Sequence, residues 1–131
     1  MSGQLTGRTA LVTGSISGIG LAIARELAEE GSRVALHGLG TAEQIEAAVA
    51  AVAAGGSPEV RFFEGDLTDV AAIDRLMDAV AAWGGADILV NNAGVQKTVS
   101  LEEATPEIWN AIIAVNLSAA FHTMRRAVPE M

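Results

Sequence analysis

Three glycines stand where a strand-like run meets a helix-like run: TGSISGIG, with Gly14, Gly18 and Gly20. A strand-to-helix turn gathers unpaired backbone N–H groups at the positive end of a helix, a setting that suits a phosphate or pyrophosphate. Gly14 allows the tight turn, and the later glycines let backbone approach a ligand and helix approach strand. The spacing is Gly-x-x-x-Gly-x-Gly, not Gly-x-Gly-x-x-Gly. The glycines alone therefore leave a plain packing turn as the alternative, and the surrounding βαβ pattern is what favours a dinucleotide.

Other chemistry-bearing residues fall at the ends of predicted strands. Asp66, in GDLTD, can accept a hydrogen bond from an adenine amino group or cap the following helix. Asn91-Asn92-Ala93-Gly94 can bond nearby backbone and turn toward a ligand, or simply end a strand. His37-Gly38-Leu39-Gly40 ends the second strand, where a carboxylate would hold the adenosine ribose and an arginine a 2′-phosphate. Neither is present, and the residue before Gly18 is Ser17, so NAD is expected and NADP is the less favoured cofactor. His37 itself reads as a strand-end histidine bonded to backbone. No second histidine or carboxylate has metal-ligand spacing to it, so no metal site is expected. Asn116 places an amide within an apolar stripe. Left buried and unpaired it would cost about 1–3 kcal/mol, so it is either a satisfied buried amide or a fixed polar point in an apolar wall.

These residues need a scaffold, and the pattern supplies one. TALVT (9–13) is a short apolar run, hence a buried strand. Ile19, Ile23 and Leu27 recur every four residues, with Ala22 and Ala28 beside them, predicting a helix from Ser17 that Gly31 ends. RVALH (33–37) is a second strand. Thr41-Ala42-Glu43-Gln44 is a capping box opening a helix with Ile45, Ala48, Val49 and Val52 inward. Residues 60–63 form a third strand. A helix from about Thr68 turns Ile73, Leu76, Met77 and Val80 inward, and DILV (87–90) is a fourth strand. Thr105, Pro106 and Glu107 open a last helix. It carries Trp109, Ile112, Ile113, Asn116, Leu117, Ala120, Phe121 and Met124 on one apolar stripe, and Pro129 ends it. Apolar strands alternating with helices of this length predict an α/β fold with a doubly wound parallel sheet. With no linker or repeat, residues 1–131 are expected to be one dinucleotide-binding domain.

Composition excludes several classes. The sequence has no cysteine, which removes disulfides, thiolate metal sites and cysteine nucleophiles. The net charge is −8, Lys97 is the only lysine, and the arginines are scattered apart from Arg125-Arg126. No nucleic-acid partner is expected, because a binding face needs clustered cations to displace counterions. No run is long and apolar enough to span a membrane. The N-terminal residues MSGQLTGRTA lack signal-peptide regions. A cytoplasmic location with no membrane partner is expected.

Together these stretches resemble the short-chain dehydrogenase/reductase family over essentially the whole chain and in family order. Thr13–Gly20 matches its cofactor loop, Asp66-Leu67 its adenine-contact pair, and Asn91–Gly94 and Val115–Ser118 two further motifs. The resemblance implies a Rossmann-type fold, a nicotinamide cofactor, and hydride transfer between alcohol and ketone. It implies cofactor contacts at Gly14, Ser17, Gly18, Ile19, Gly20, Asp66, Leu67, Asn92, Ala93 and Gly94. Within the family, LHGLG, NNAGVQ and VNLSAAFHTMRRAVPEM resemble the NAD-dependent 3-hydroxybutyrate dehydrogenases, which implies a substrate contact at Gln96. The next position, often histidine in those enzymes, is Lys97. The alternatives are a reductase of 3-oxoacyl thioesters or sugars, and a non-enzymatic dinucleotide-binding or interaction module. The family's proton donor is the tyrosine of a Tyr-x-x-x-Lys pair, helped by an upstream serine. This sequence has no tyrosine. Of the four usual catalytic residues the resemblance places only Asn116 here, and the others beyond Met131. The expected fold is accordingly truncated after the fourth strand and its following helix. That chain alone is expected to bind cofactor without turnover, and its uncovered faces predict a homo-oligomer.

Overall fold

The computed structural model describes residues 3–131. Four strands form one parallel sheet: β1 (Thr9–Val12), β2 (Arg33–Leu36), β3 (Val60–Phe62) and β4 (Ile88–Val90). Their order across the sheet is β3-β2-β1-β4. In register, Val12 faces Leu36 on one side and Val90 on the other, so the three strands end level. The chain winds outward from β1 to β3 and then returns to the far side of β1. The carboxyl ends of β1 and β4 therefore flank a topological switch point, the place where open α/β sheets bind ligands.

Helices cover both faces. α1 (Gly18–Glu29) and α2 (Ala42–Ala53) enclose one core with Val12, Val34, Leu36, Ala48 and Val52. α3 (Val70–Ala82) and α5 (Ala119–Ala127) enclose the other with Leu11, Ala35, Phe63, Ile73 and Leu76. Alternate residues of β1 thus serve opposite cores, as the two-residue period of a strand requires. This is the doubly wound parallel sheet the sequence predicts. α2 opens with the predicted capping box: Gln44 N–H donates to Thr41 Oγ1 at 3.1 Å, and Gln44 Oε1 accepts from Thr41 N–H at 2.9 Å. No helix among the described residues is long and apolar enough to cross a membrane.

Two expectations need correction. In α1 the buried row is Gly20, Ala24 and Ala28, while Ile19 is 75% exposed. The row keeps its period of four but shifts by one residue, because the smallest side chains let the helix lie closest to the sheet. The last helix also differs. It runs as α4 (Pro106–Ile113), a π-helical turn (Ala114–Ser118) and α5. Its buried residues are Ala119, Thr123 and Ala127, packed toward α3, whereas Trp109, Leu117, Phe121 and Met124 are exposed. Arg126 binds Asp74 and Asp78, and Arg125 binds Asp74, so ion pairs and small residues decide which face docks.

Candidate functional site

The glycine turn follows β1 directly. Gly14 has φ +62°, and a Cβ there would lie 2.8 Å from the Cα of Ala93. Only glycine meets both the left-handed backbone and the close approach of the β4 loop. A Cβ on Gly20 would lie 2.2 Å from Gly14 O and 2.5 Å from Asn92 Nδ2, so α1 presses onto the turn itself. Gly18 shares the left-handed backbone, at φ +57°, but a Cβ there would meet nothing within 4 Å. Its surroundings are open space.

The N-terminus of α1 stands apart from those of its neighbours. Thr41, Asp69 and Thr105 each accept a backbone N–H at the start of α2, α3 and α4 (Pro106–Ile113). Ser17, at the start of α1, makes no side-chain cap bond. The first intrahelical bond is Leu21 N–H to Ser17 O at 3.2 Å, so the N–H groups of Gly18, Ile19 and Gly20 point out of the helix without a cap. Uncapped donors at a helix start favour an anion.

A cleft of about 450 Å³ opens in front of this terminus. Gly14, Ile16 and Ser17 form one wall, His37 to Leu39 and Gly65 to Thr68 a second, and Asn92 to Val95 a third. Of the residues lining it, Asp66 alone carries a formal charge, and none is lysine or arginine. Asp66 Oδ1 accepts from Thr68 N–H at 2.9 Å and from Thr68 Oγ1–H at 2.7 Å. These bonds, the hydroxyl's first, hold its carboxyl below the usual carboxylate range. Asp66 does not cap α3; Asp69 does, accepting from Ala71 N–H at 3.0 Å. Asp66 is thereby left facing the cleft. A larger groove of about 650 Å³ runs along β3 between α2 and α3, but it includes no residue of the glycine turn.

Asn92 and Thr13 hold the site together. Asn92 Nδ2–H donates to Gly14 O at 3.0 Å and to Thr13 O at 3.2 Å. Thr13 Oγ1 accepts from the N–H groups of Asn92 and Ala93 at 3.1 and 3.0 Å. Asn91 Oδ1 accepts from Thr123 Oγ1–H at 2.6 Å, tying the end of β4 to α5. Thr123 escapes a reading by motif, and Thr13, though it opens the glycine motif, is given no role of its own by it. The signal available was a hydroxyl where an apolar residue would otherwise be buried.

Asn116 lies inside the π-helical turn, a distortion often found at functional positions. It is exposed rather than buried in an apolar wall, which corrects the expectation. Its amide is nonetheless fully engaged: Oδ1 accepts from Val95 N–H at 2.7 Å, and Nδ2–H donates to Val95 O at 2.8 Å. The exposed stripe explains the burial error, and the π turn explains how the amide reaches the loop. Gln96 follows Val95 on that loop and is exposed. It does not line the cleft. Leu67 is buried beneath Asp66, and Ile19 stands exposed at the start of α1.

Comparison with known proteins agrees with this fold. A family model described as short chain dehydrogenase matches residues 8–131. The D-beta-hydroxybutyrate dehydrogenase of Cupriavidus necator is 48% identical over 98% of this chain, which covers 49% of that protein. The D-beta-hydroxybutyrate dehydrogenase of Rhizobium meliloti is 49% identical over 95% of the chain and 48% of that protein. Among solved structures, a 3-oxoacyl (acyl-carrier-protein) reductase from Agrobacterium tumefaciens with NADP bound superposes with a TM-score of 0.88. It is 38% identical, with 97% of this chain and 48% of that one covered. The chain thus spans about half the length of the curated relatives it matches.

Proposed function

The chain belongs to the short-chain dehydrogenase family, and from that premise we propose that residues 1–131 form a unit that holds the adenosine and pyrophosphate half of NAD. The complete protein would be an oxidoreductase interconverting 3-hydroxybutyrate and its keto acid. One observation carries the binding reading: of the helices α1 to α4, only α1 starts without a side-chain cap, and it starts at an open cleft.

The residues present fit the group. The N–H groups of Ser17, Gly18, Ile19 and Gly20 would receive the pyrophosphate. The Asp66 carboxylate would accept from the adenine amino group, with Leu67 beneath it. Asn92, Ala93 and Gly94 would form the opposite wall. The absence of lysine and arginine from the cleft supports NAD over NADP, whose extra phosphate would find no cation. When bound, a nicotinamide cofactor supplies the hydride acceptor or donor. Asn116 would act by fixing the Val95 backbone, and with it the position of Gln96 beside a substrate carboxylate. A small hydroxy acid as substrate is supported by the two hydroxybutyrate dehydrogenases above, each nearly half identical to this chain. A homo-oligomer is supported by the exposed Trp109, Leu117, Phe121 and Met124.

Calorimetric titration of the purified chain with NAD, NADP and ADP tests the binding reading. NAD and ADP are expected to bind and NADP to bind more weakly. Binding of NADP as tight as NAD would overturn the cofactor assignment, and no binding of any of the three would overturn the site. The same chain with NADH and acetoacetate is expected to show no turnover, since it contains no tyrosine to protonate the ketone oxygen.

A further inference from the structure

We propose that His37 is a positioning residue for the glycine turn: as a neutral imidazole it locks the Gly14 peptide to the carboxyl ends of β2 and β3, and on protonation it lets that peptide go. The consequence for nucleotide affinity rests on the dinucleotide reading above; the clamp itself does not.

The partners dictate the state of the ring. Gly14 N lies 3.2 Å from His37 Nδ1, and Gly65 O lies 2.8 Å from His37 Nε2. A backbone N–H can only donate and a carbonyl can only accept. Nδ1 must therefore offer its lone pair and Nε2 must carry the hydrogen. The neutral Nε2–H tautomer alone satisfies both bonds. The backbone of His37 joins the same turn: its N–H donates to Ser15 Oγ at 3.0 Å, and its carbonyl accepts from Ser15 N–H at 2.6 Å. One residue thus spans the ends of three strands, and at 2% exposure water has no room to replace it.

The lock bears directly on the anion cradle. With the Gly14 N–H committed to the imidazole, the donors left to face the cleft are those at the start of α1. The Gly14 peptide in turn sets where α1 begins, because Gly20 packs against its carbonyl oxygen. Protonation would set an N–H against an N–H across that 3.2 Å gap and leave a buried cation with no carboxylate partner. The groups around the ring bear this out. The β1–α1 turn contributes Gly14, Ser15, Ile16 and Ser17; β2 continues into Gly38 and Leu39; the β4 end contributes Asn92; none of these is ionisable. Asp66, beside Gly65, is the single ionisable neighbour lining the cleft with His37; its Oδ1 accepts from Thr68, and among the described residues it makes no hydrogen bond or ion pair with the ring. Burial pushes the His37 imidazole down from the usual histidine value, and the Gly65 carbonyl only partly opposes this. Since the folded value is lowered, the clamp is complete above the ordinary histidine range and is lost as pH falls through that lower value.

Nitrogen-15 NMR of the full 131-residue chain tests this directly. The His37 ring is expected as the Nε2–H tautomer at neutral pH. On acidification the Gly14 amide resonance is expected to move with the His37 ring, at a midpoint below 6.5. His37→Asn, whose Oδ1 can accept from Gly14 N–H but cannot titrate, should leave the Gly14 amide unresponsive over the same range. An Nδ1–H tautomer, a midpoint at or above 6.5, or a Gly14 amide indifferent to the ring would each overturn the proposal without any variant. NAD, whose pyrophosphate does not titrate in this range, should lose affinity with acid in the native chain and hold it in His37→Asn; equal pH profiles in the two would also overturn it. Absence of nucleotide binding alongside the expected Gly14 response would refute the dinucleotide reading and leave the clamp supported.

Discussion

Gly14, Gly18 and Gly20 look alike in the sequence and do three different things. Gly14 supplies a left-handed turn under Ala93, Gly20 lets a helix touch a carbonyl, and Gly18 supplies a second left-handed residue that faces open space. Gly20→Ala should therefore be the most damaging alanine substitution of the three. Its methyl group would overlap Gly14 O and Asn92 Nδ2, and overpacking of this kind costs about 1–3 kcal/mol. A lowered urea midpoint together with lost ADP binding would confirm it; an unchanged midpoint would show that α1 can shift without cost. The glycines were legible as a strand-to-helix turn because their spacing is local. Their separate roles were not, because Ala93 and Asn92 arrive from the far end of β4. The same holds for His37, legible as a strand-end histidine bonded to backbone, whose partners Gly14 and Gly65 lie in the loops that follow β1 and β3.

At the scale of elements, helix starts were the most readable feature. Thr41 and Thr105 cap the helices they were expected to cap, because a cap is a contact between near neighbours in sequence. The start of α1 is informative for the opposite reason: a serine is present and does not cap. Ser17→Asp should place a carboxylate at that positive end. Stability should rise by about 0.3–1 kcal/mol from the charge–dipole interaction, while NAD affinity drops as the added charge competes with the pyrophosphate. Thermal melting and calorimetry on one preparation check both signs, and a variant that is stabilised yet binds NAD normally would refute the anion assignment. Helix faces were less readable. Hydrophobicity selects Ile19 in α1 and Leu117 and Phe121 in the last helix, whereas packing buries Gly20, Ala24 and Ala28, and Ala119, Thr123 and Ala127. Close approach to a sheet or helix favours the smallest residues, and no period in the sequence reveals which of two adjacent rows will dock.

For the molecule as a whole, the exposed face of the last helix segments is the feature with consequences. Trp109 is 66% exposed, Leu117 64% and Phe121 59%, and apolar groups this prominent are usually covered by a partner. Sedimentation equilibrium should find the chain self-associated. Leu117→Glu combined with Phe121→Glu should shift it to monomer without loss of helical circular dichroism, since both side chains lie outside the two cores. A native chain that is monomeric at high concentration would refute this. By itself the sequence determined the order of strands and helices, the two-faced wrapping of a parallel sheet, the glycine turn and the family, because each of these rests on short-range periodicity or on motifs of adjacent residues. Only the tertiary structure decided which helix faces are buried, that Asn116 clamps Val95, and that His37 joins three strand ends. Those outcomes depend on groups that are distant along the chain and meet only when the sheet has closed around its switch point.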